Sequence, residues 1–85
     1  PYDLSGSLGM LGDVEHPTVV AAMEKVIAAA RAAGVYVGSG MPLDAGFAAN
    51  QVRRGVQWLQ MGGDFELLIR AMQQMTTEVR SQTAP

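Results

Sequence analysis

Gly34-Val35-Tyr36-Val37-Gly38 and Val56-Gln57-Trp58-Leu59-Gln60-Met61 are the two stretches on which the fold turns. Both are short and entered through a glycine, Gly34 or Gly55, of the kind that stops a helix, and the first is β-branched or aromatic from Val35 to Val37. They read as buried strands over 35–38 and 56–61, the first ended by Ser39-Gly40-Met41-Pro42 and the second by Gly62-Gly63. Between them Asp44 stands where a carboxylate caps a helix over 45–54, a segment of modest apolar content (Ala45, Phe47, Ala48, Val52). Strand, helix and strand at this spacing make a right-handed parallel crossover, so the class is α/β.

Working outward, Pro17 sits where a first helical residue is tolerated, because its missing N–H would be unpaired there in any case. At 100° per residue Val19, Val20, Met23, Val26, Ile27 and Ala30 share a stripe about 120° wide, which predicts an amphipathic helix over 17–34. Downstream, Asp64 is a plausible N-cap for the strongest helix, 65–80, with a frayed tail from Ser81. In that helix Phe65, Leu67, Leu68, Ile69, Ala71, Met72, Met75 and Val79 cover roughly 200° of the wheel. That is wider than one packing surface requires, so a second covering surface is expected, with Met72 and Met75 as adaptable contacts. Upstream, residues 1–16 carry Gly6, Gly9 and Gly12 among apolar Leu4, Leu8, Met10 and Leu11 and read as a long ordered loop.

Two strands cannot form a stable parallel sheet, which needs cover on both faces and neighbours at both edges. The sequence, 85 residues opening on Pro1, is therefore expected to be an interior piece of a longer protein, or a processed product. Composition closes off several functions. Eight acidic against six basic residues leave a net charge of −2, too little positive charge for a broad nucleic-acid face. The absence of cysteine excludes disulfides, thiol nucleophiles and zinc ribbons. The run Val26 to Ala30 falls far short of the roughly 20 apolar residues that span a bilayer, so no membrane segment is expected.

Most candidate polar sites have a plain structural reading. Gly6, Gly9 and Gly12 fit neither the dinucleotide fingerprint nor the phosphate-binding loop, since no strand precedes them in register and no Gly-Lys-Ser/Thr follows. His16, directly before Pro17, reads as a helix-entry residue bonded to nearby backbone. Asp44 and Asp64 read as caps, and Arg53-Arg54 complements a helix C-terminus. Asp3 stands apart: it precedes no predicted helix and opens the glycine-rich segment, the setting of a carboxylate projected from a strand end. Alone it would bind Mg²⁺ weakly, so a partner ligand must come from elsewhere.

The run Pro1-Tyr2-Asp3-Leu4-Ser5, then Leu8-Gly9, then His16-Pro17 opening an alanine-rich helix that closes Arg31-Ala32-Ala33-Gly34, resembles the C-terminal third of the HpcH/HpaI aldolase family. Val37-Gly38, and Gly62 to Asp64 followed by Leu67-Leu68, continue the resemblance along nearly the whole chain. It implies a fragment of a (β/α)8 barrel, from the end of strand six through helix eight, of a class II pyruvate aldolase. Asp3 would then be one of two carboxylates holding Mg²⁺, Mn²⁺ or Co²⁺. The Tyr2 backbone N–H would help hold the pyruvate carboxylate. The second carboxylate, a Glu, and the family's catalytic His and Arg would lie upstream, and His16 does not take the role of that histidine. Near the substrate the family usually carries a larger apolar residue after strand seven; here Ser39-Gly40-Met41 stands instead, which places Gly40 at the substrate pocket and leaves aldehyde specificity open.

The implied parent enzyme makes or cleaves 4-hydroxy-2-oxo acids through a pyruvate enolate stabilised by a divalent cation, with an aldehyde as second substrate. The resemblance also implies a cytoplasmic homo-oligomer whose last helix is exchanged between subunits, while the 85 residues alone should be inactive. Two other readings stay open: a citrate-lyase-like enzyme acting on a CoA thioester, marked by a basic phosphate site, and a small noncatalytic helical interaction module, marked by cooperative folding of the chain alone.

Overall fold

A computed structural model describes residues 1–85. Its elements run α1 (Tyr2–Ser7), α2 (Pro17–Ala32), β1 (Gly38–Met41), α3 (Ala45–Arg54), β2 (Trp58–Met61) and α4 (Asp64–Thr83). The two strands pair in parallel, with Gly38 opposite Trp58, Ser39 opposite Leu59, Gly40 opposite Gln60 and Met41 opposite Met61.

One local device shapes the first half of the molecule. After α1, α2 and α3 the chain turns through Gly9 (φ 75°), Gly34 (φ 70°) and Gly55 (φ 106°), in the left-handed region that a side chain disfavours. In each case the glycine N–H and the next N–H reach back into the last turn. Gly9 bonds Gly6 and Met10 bonds Ser5; Gly34 bonds Arg31 and Val35 bonds Ala30; Gly55 bonds Val52 and Val56 bonds Gln51, all at 2.8–3.1 Å. These are Schellman closures, which satisfy carbonyls that a helix end leaves unpaired.

The closures account for three corrections to the sequence reading. Residues 1–16 are not one long loop, because Tyr2–Ser7 is helical and Gly9 is its stop. Strand 35–38 is displaced to Gly38–Met41, because the Val35 N–H belongs to the helix closure and leaves Val35 and Tyr36 exposed, and Ser39-Gly40-Met41, expected to end the strand, instead form it. Strand 56–61 shortens to Trp58–Met61 for the same reason at Val56. Gln57 bridges to the ladder, donating its N–H to the Val37 carbonyl at 2.8 Å and accepting the Val37 N–H on Oε1 at 3.2 Å.

The helix starts divide similarly. Asp44 caps α3 by accepting the Phe47 N–H at 3.0 Å, and His16 caps α2 by accepting the Thr18 N–H on Nδ1 at 3.1 Å. Asp64 is not a cap: Gly63 takes that place, and Asp64 is the first residue of α4, its carboxylate accepting from Phe65 N–H at 2.8 Å. The tail is also more ordered than expected, since α4 continues to Thr83.

Helices α2 and α3 lie on one face of the strand pair. Ile27 packs with Val37 and Val56, Met41 packs with Phe47 and Ala48, and Leu59 touches both groups. Of the predicted α2 stripe, Val19, Met23 and Ile27 are buried, whereas Val26 is exposed. The opposite face of the strands, carrying Gly40, Trp58 and Gln60, is uncovered, and no residue of α4 is buried. No helix is long and apolar enough to cross a membrane.

Candidate functional site

The carboxyl ends of β1 and β2 open onto a hollow of about 650 Å³, bounded by Tyr2, Gly40, Met41, Pro42, Gln60, Gly62, Gly63, Phe65 and Glu66. The parallel pairing sets this geometry, since both strands must end on the same side and their following loops must gather there. The loop after β1 is held in place by α4. Leu43 N–H donates to Glu66 Oε2 at 3.4 Å, and Leu43 carbonyl accepts from Arg70 Nη2 at 2.6 Å. Glu66 and Arg70 stand one helical turn apart, so a single face of α4 grips both polar groups of one residue.

The hollow brings together two of the three expected substrate-site residues, Tyr2 from α1 and Gly40 from β1, although 38 positions separate them. Asp3 follows Tyr2 in α1 and is not among the lining residues. It stands in the first turn of a short helix. Its carboxylate is exposed, and no cluster of three His, Cys, Asp or Glu side chains forms anywhere in the chain. As a hard, unshared oxygen ligand Asp3 suits one position around a divalent cation; a complete ligand set needs groups beyond these residues. Tyr2 is the first residue of α1, so its N–H has no intrahelical acceptor and can receive a carboxylate oxygen.

Ser5, which residue type alone did not mark, holds this corner. It is fully buried; its hydroxyl donates to the Tyr2 carbonyl at 2.5 Å and accepts the Gly12 N–H at 3.0 Å. One side chain thereby fixes the peptide that joins Tyr2 to Asp3 and ties the glycine-rich segment against it. The signal was a hydroxyl three residues after Tyr2, the spacing at which serine bonds back to a helical carbonyl. Gln60 was missed as well, and lines the hollow from β2. His16 and Asp44 are occupied in capping, and neither borders the hollow.

Comparison with known proteins agrees with this architecture. The model of the family described as HpcH/HpaI aldolase/citrate lyase matches residues 1–71. A hydroxypyruvate/pyruvate aldolase of Paraburkholderia phytofirmans is 37% identical over 81 residues, which is 95% of this chain and 31% of that protein. The crystal structure of an HpcH/HpaI aldolase/citrate lyase family protein from Burkholderia cenocepacia superposes with a TM-score of 0.86 at 41% identity, covering 94% of this chain and 31% of that one. An HpcH/HpaI aldolase from Desulfitobacterium hafniense gives 0.81 at 35% identity, covering 100% and 32%. The chain thus spans about a third of the length of each relative. With its α/β fold, its opening Pro1–Ser5 run and the match over residues 1–71, the chain belongs to the HpcH/HpaI aldolase/citrate lyase family.

Proposed function

We propose that these residues form the C-terminal third of a (β/α)8 barrel, from the end of strand six through helix eight, in an aldolase that makes or cleaves 4-hydroxy-2-oxo acids. The observation that carries this reading is the hollow at the carboxyl ends of the parallel strands, where Tyr2 and Gly40 meet. In barrels of this kind the reacting groups gather at that end. The relative named as a hydroxypyruvate/pyruvate aldolase supports an oxo acid as one substrate and an aldehyde as the other.

In this reading Tyr2 donates its free N–H to the carboxylate of the oxo acid, and Ser5 keeps that N–H aimed by fixing the adjoining peptide. Asp3 supplies one carboxylate to a divalent cation, Mg²⁺, Mn²⁺ or Co²⁺, whose remaining protein ligands lie outside the chain. When bound, such an ion supplies Lewis-acid stabilisation of the pyruvate enolate. Gly40, lacking a side chain, leaves space for the aldehyde. The hollow's lining carries a carboxylate, Glu66, and no Lys or Arg. That composition favours a small oxo acid over the phosphates of a CoA thioester.

The test is Asp3→Asn in the whole enzyme, which keeps the size of the side chain and removes its charge. The expected outcome is loss of metal-dependent turnover with little change in melting temperature. Unaltered metal affinity and turnover would refute the assignment.

A further inference from the structure

The uncovered face of the strand pair repeats one arrangement twice: a glycine on β1 lies beside a long side chain on β2. Trp58 covers Gly38 so closely that a Cβ there would stand 1.8 Å from its ring. Gln60 leans over Gly40 at the next position on that face, with Oε1 3.4 Å from where a Cβ would be. The first pair is apolar packing. The second puts an amide at the border of the hollow. Gln57 and Gln74 are engaged within the chain, by Val37 N–H and by Glu78 respectively. Gln60 is exposed to the hollow, where its carboxamide offers a donor and an acceptor together.

Resting on the aldolase reading above, we infer that Gln60 is a specificity-determining residue for the acceptor aldehyde, selecting a neutral aldehyde with a hydroxyl beside its carbonyl. A hydroxyl both donates and accepts, so it matches both ends of a carboxamide, whereas an alkyl aldehyde would leave the amide unpaired on closure of the site. An anionic acceptor is disfavoured, because the lining's one charged side chain is the Glu66 carboxylate. With the donor oxo acid held by the Tyr2 N–H of α1, Gln60, on a different element, β2, is left for the second substrate. Gly40 is the complement of Gln60: a Cβ there would already touch Oε1 at 3.4 Å, so a branched side chain would crowd the amide.

The experiment measures kcat/KM of the whole enzyme, with pyruvate as donor, for glycolaldehyde and for acetaldehyde. A preference for glycolaldehyde is expected, and Gln60→Leu should lower the glycolaldehyde-to-acetaldehyde ratio about tenfold, the size of one lost hydrogen bond in a closed site. Gly40→Val, which adds methyl groups beyond a Cβ that already stands 3.4 Å from Oε1, should lower the same ratio with Gln60 intact, and serves if the first variant does not fold. An unchanged ratio in a folded variant overturns the inference. So does a change confined to the hydroxypyruvate-to-pyruvate donor ratio, which would assign the amide to the donor. Carbon–carbon bond formation by the unsubstituted enzyme with a flat acceptor ratio strikes only this inference; no bond formation with any donor and acceptor strikes the aldolase reading together with it.

Discussion

Ser5 shows how much a single small side chain can govern. Its hydroxyl is the one group that links the first turn of α1 to Gly12, and it does so from a fully buried position. Replacing it with alanine leaves the Gly12 N–H without its partner and frees the Tyr2 carbonyl. The expected cost in the whole enzyme is about 1 kcal/mol, the usual net contribution of one hydrogen bond, since Gly12 itself is exposed. Denaturant unfolding should show it as a lower midpoint with an unchanged slope. Because the Tyr2 peptide also moves, KM for pyruvate should rise in the same variant. A wild-type midpoint with wild-type KM would show that the hydroxyl holds nothing. The two other buried polar groups behave differently, since Ser39 Oγ and Gln51 Oε1 have no hydrogen-bond partner within the chain. Neither borders the hollow.

Among the elements, the sequence was most legible where a cap and a stop bracket one helix. Asp44 and Gly55 frame α3 and leave no ambiguity about its ends. Gly34 and Gly55 were read as helix stops because amphipathic helices precede them. Gly9 has the same left-handed geometry, yet a six-residue helix is too short to display a periodicity, so in the sequence it is indistinguishable from a loop glycine. The strand starts were misplaced by a related effect: Val35 and Val56 have strand-like side chains, but their N–H groups complete the preceding helices. Of the residues lining the hollow, the sequence indicates only Tyr2 and Gly40, through the family resemblance. Gln60 was hidden because β2 alternates without a clear polar face, Trp58 and Gln60 on one side and Leu59 and Met61 on the other. The strand pairing itself yields a sharp prediction. Gly38→Ala would force Trp58 off β1, since the new methyl would sit inside its ring, at an expected cost of at least the 1–3 kcal/mol typical of overpacking. A thermal melt of the whole enzyme should fall by several degrees. Unaltered stability would mean that the ring does not lie on this glycine.

The dimensions of the whole molecule are those of an incomplete body. The radius of gyration is 16.9 Å, against about 12 Å for a compact domain of this length. The accessible surface is 6109 Å², where a closed monomer of this mass would show about 4,850 Å². Much of the excess lies on α4, whose Phe65, Leu67, Leu68, Ile69, Met72, Met75 and Val79 are all more than half exposed. The rest of the proposed barrel can cover the strand face. For the broad apolar surface of α4 we propose a second subunit as part of the cover, in keeping with a homo-oligomer that exchanges its last helix. Met72→Glu combined with Met75→Glu should then shift the whole enzyme to smaller and less stable species in size-exclusion chromatography. An unchanged elution volume at full stability would place that surface inside one subunit. The pairing of Trp58 with Gly38 has a further consequence at this scale. Trp58 is the only tryptophan in these 85 residues, and it lies on the bare side of the sheet with 58% of its surface exposed. Its fluorescence is therefore a built-in optical gauge of the proposed barrel: red-shifted and readily quenched while that side faces water, blue-shifted and shielded once further strands of such a barrel close over it.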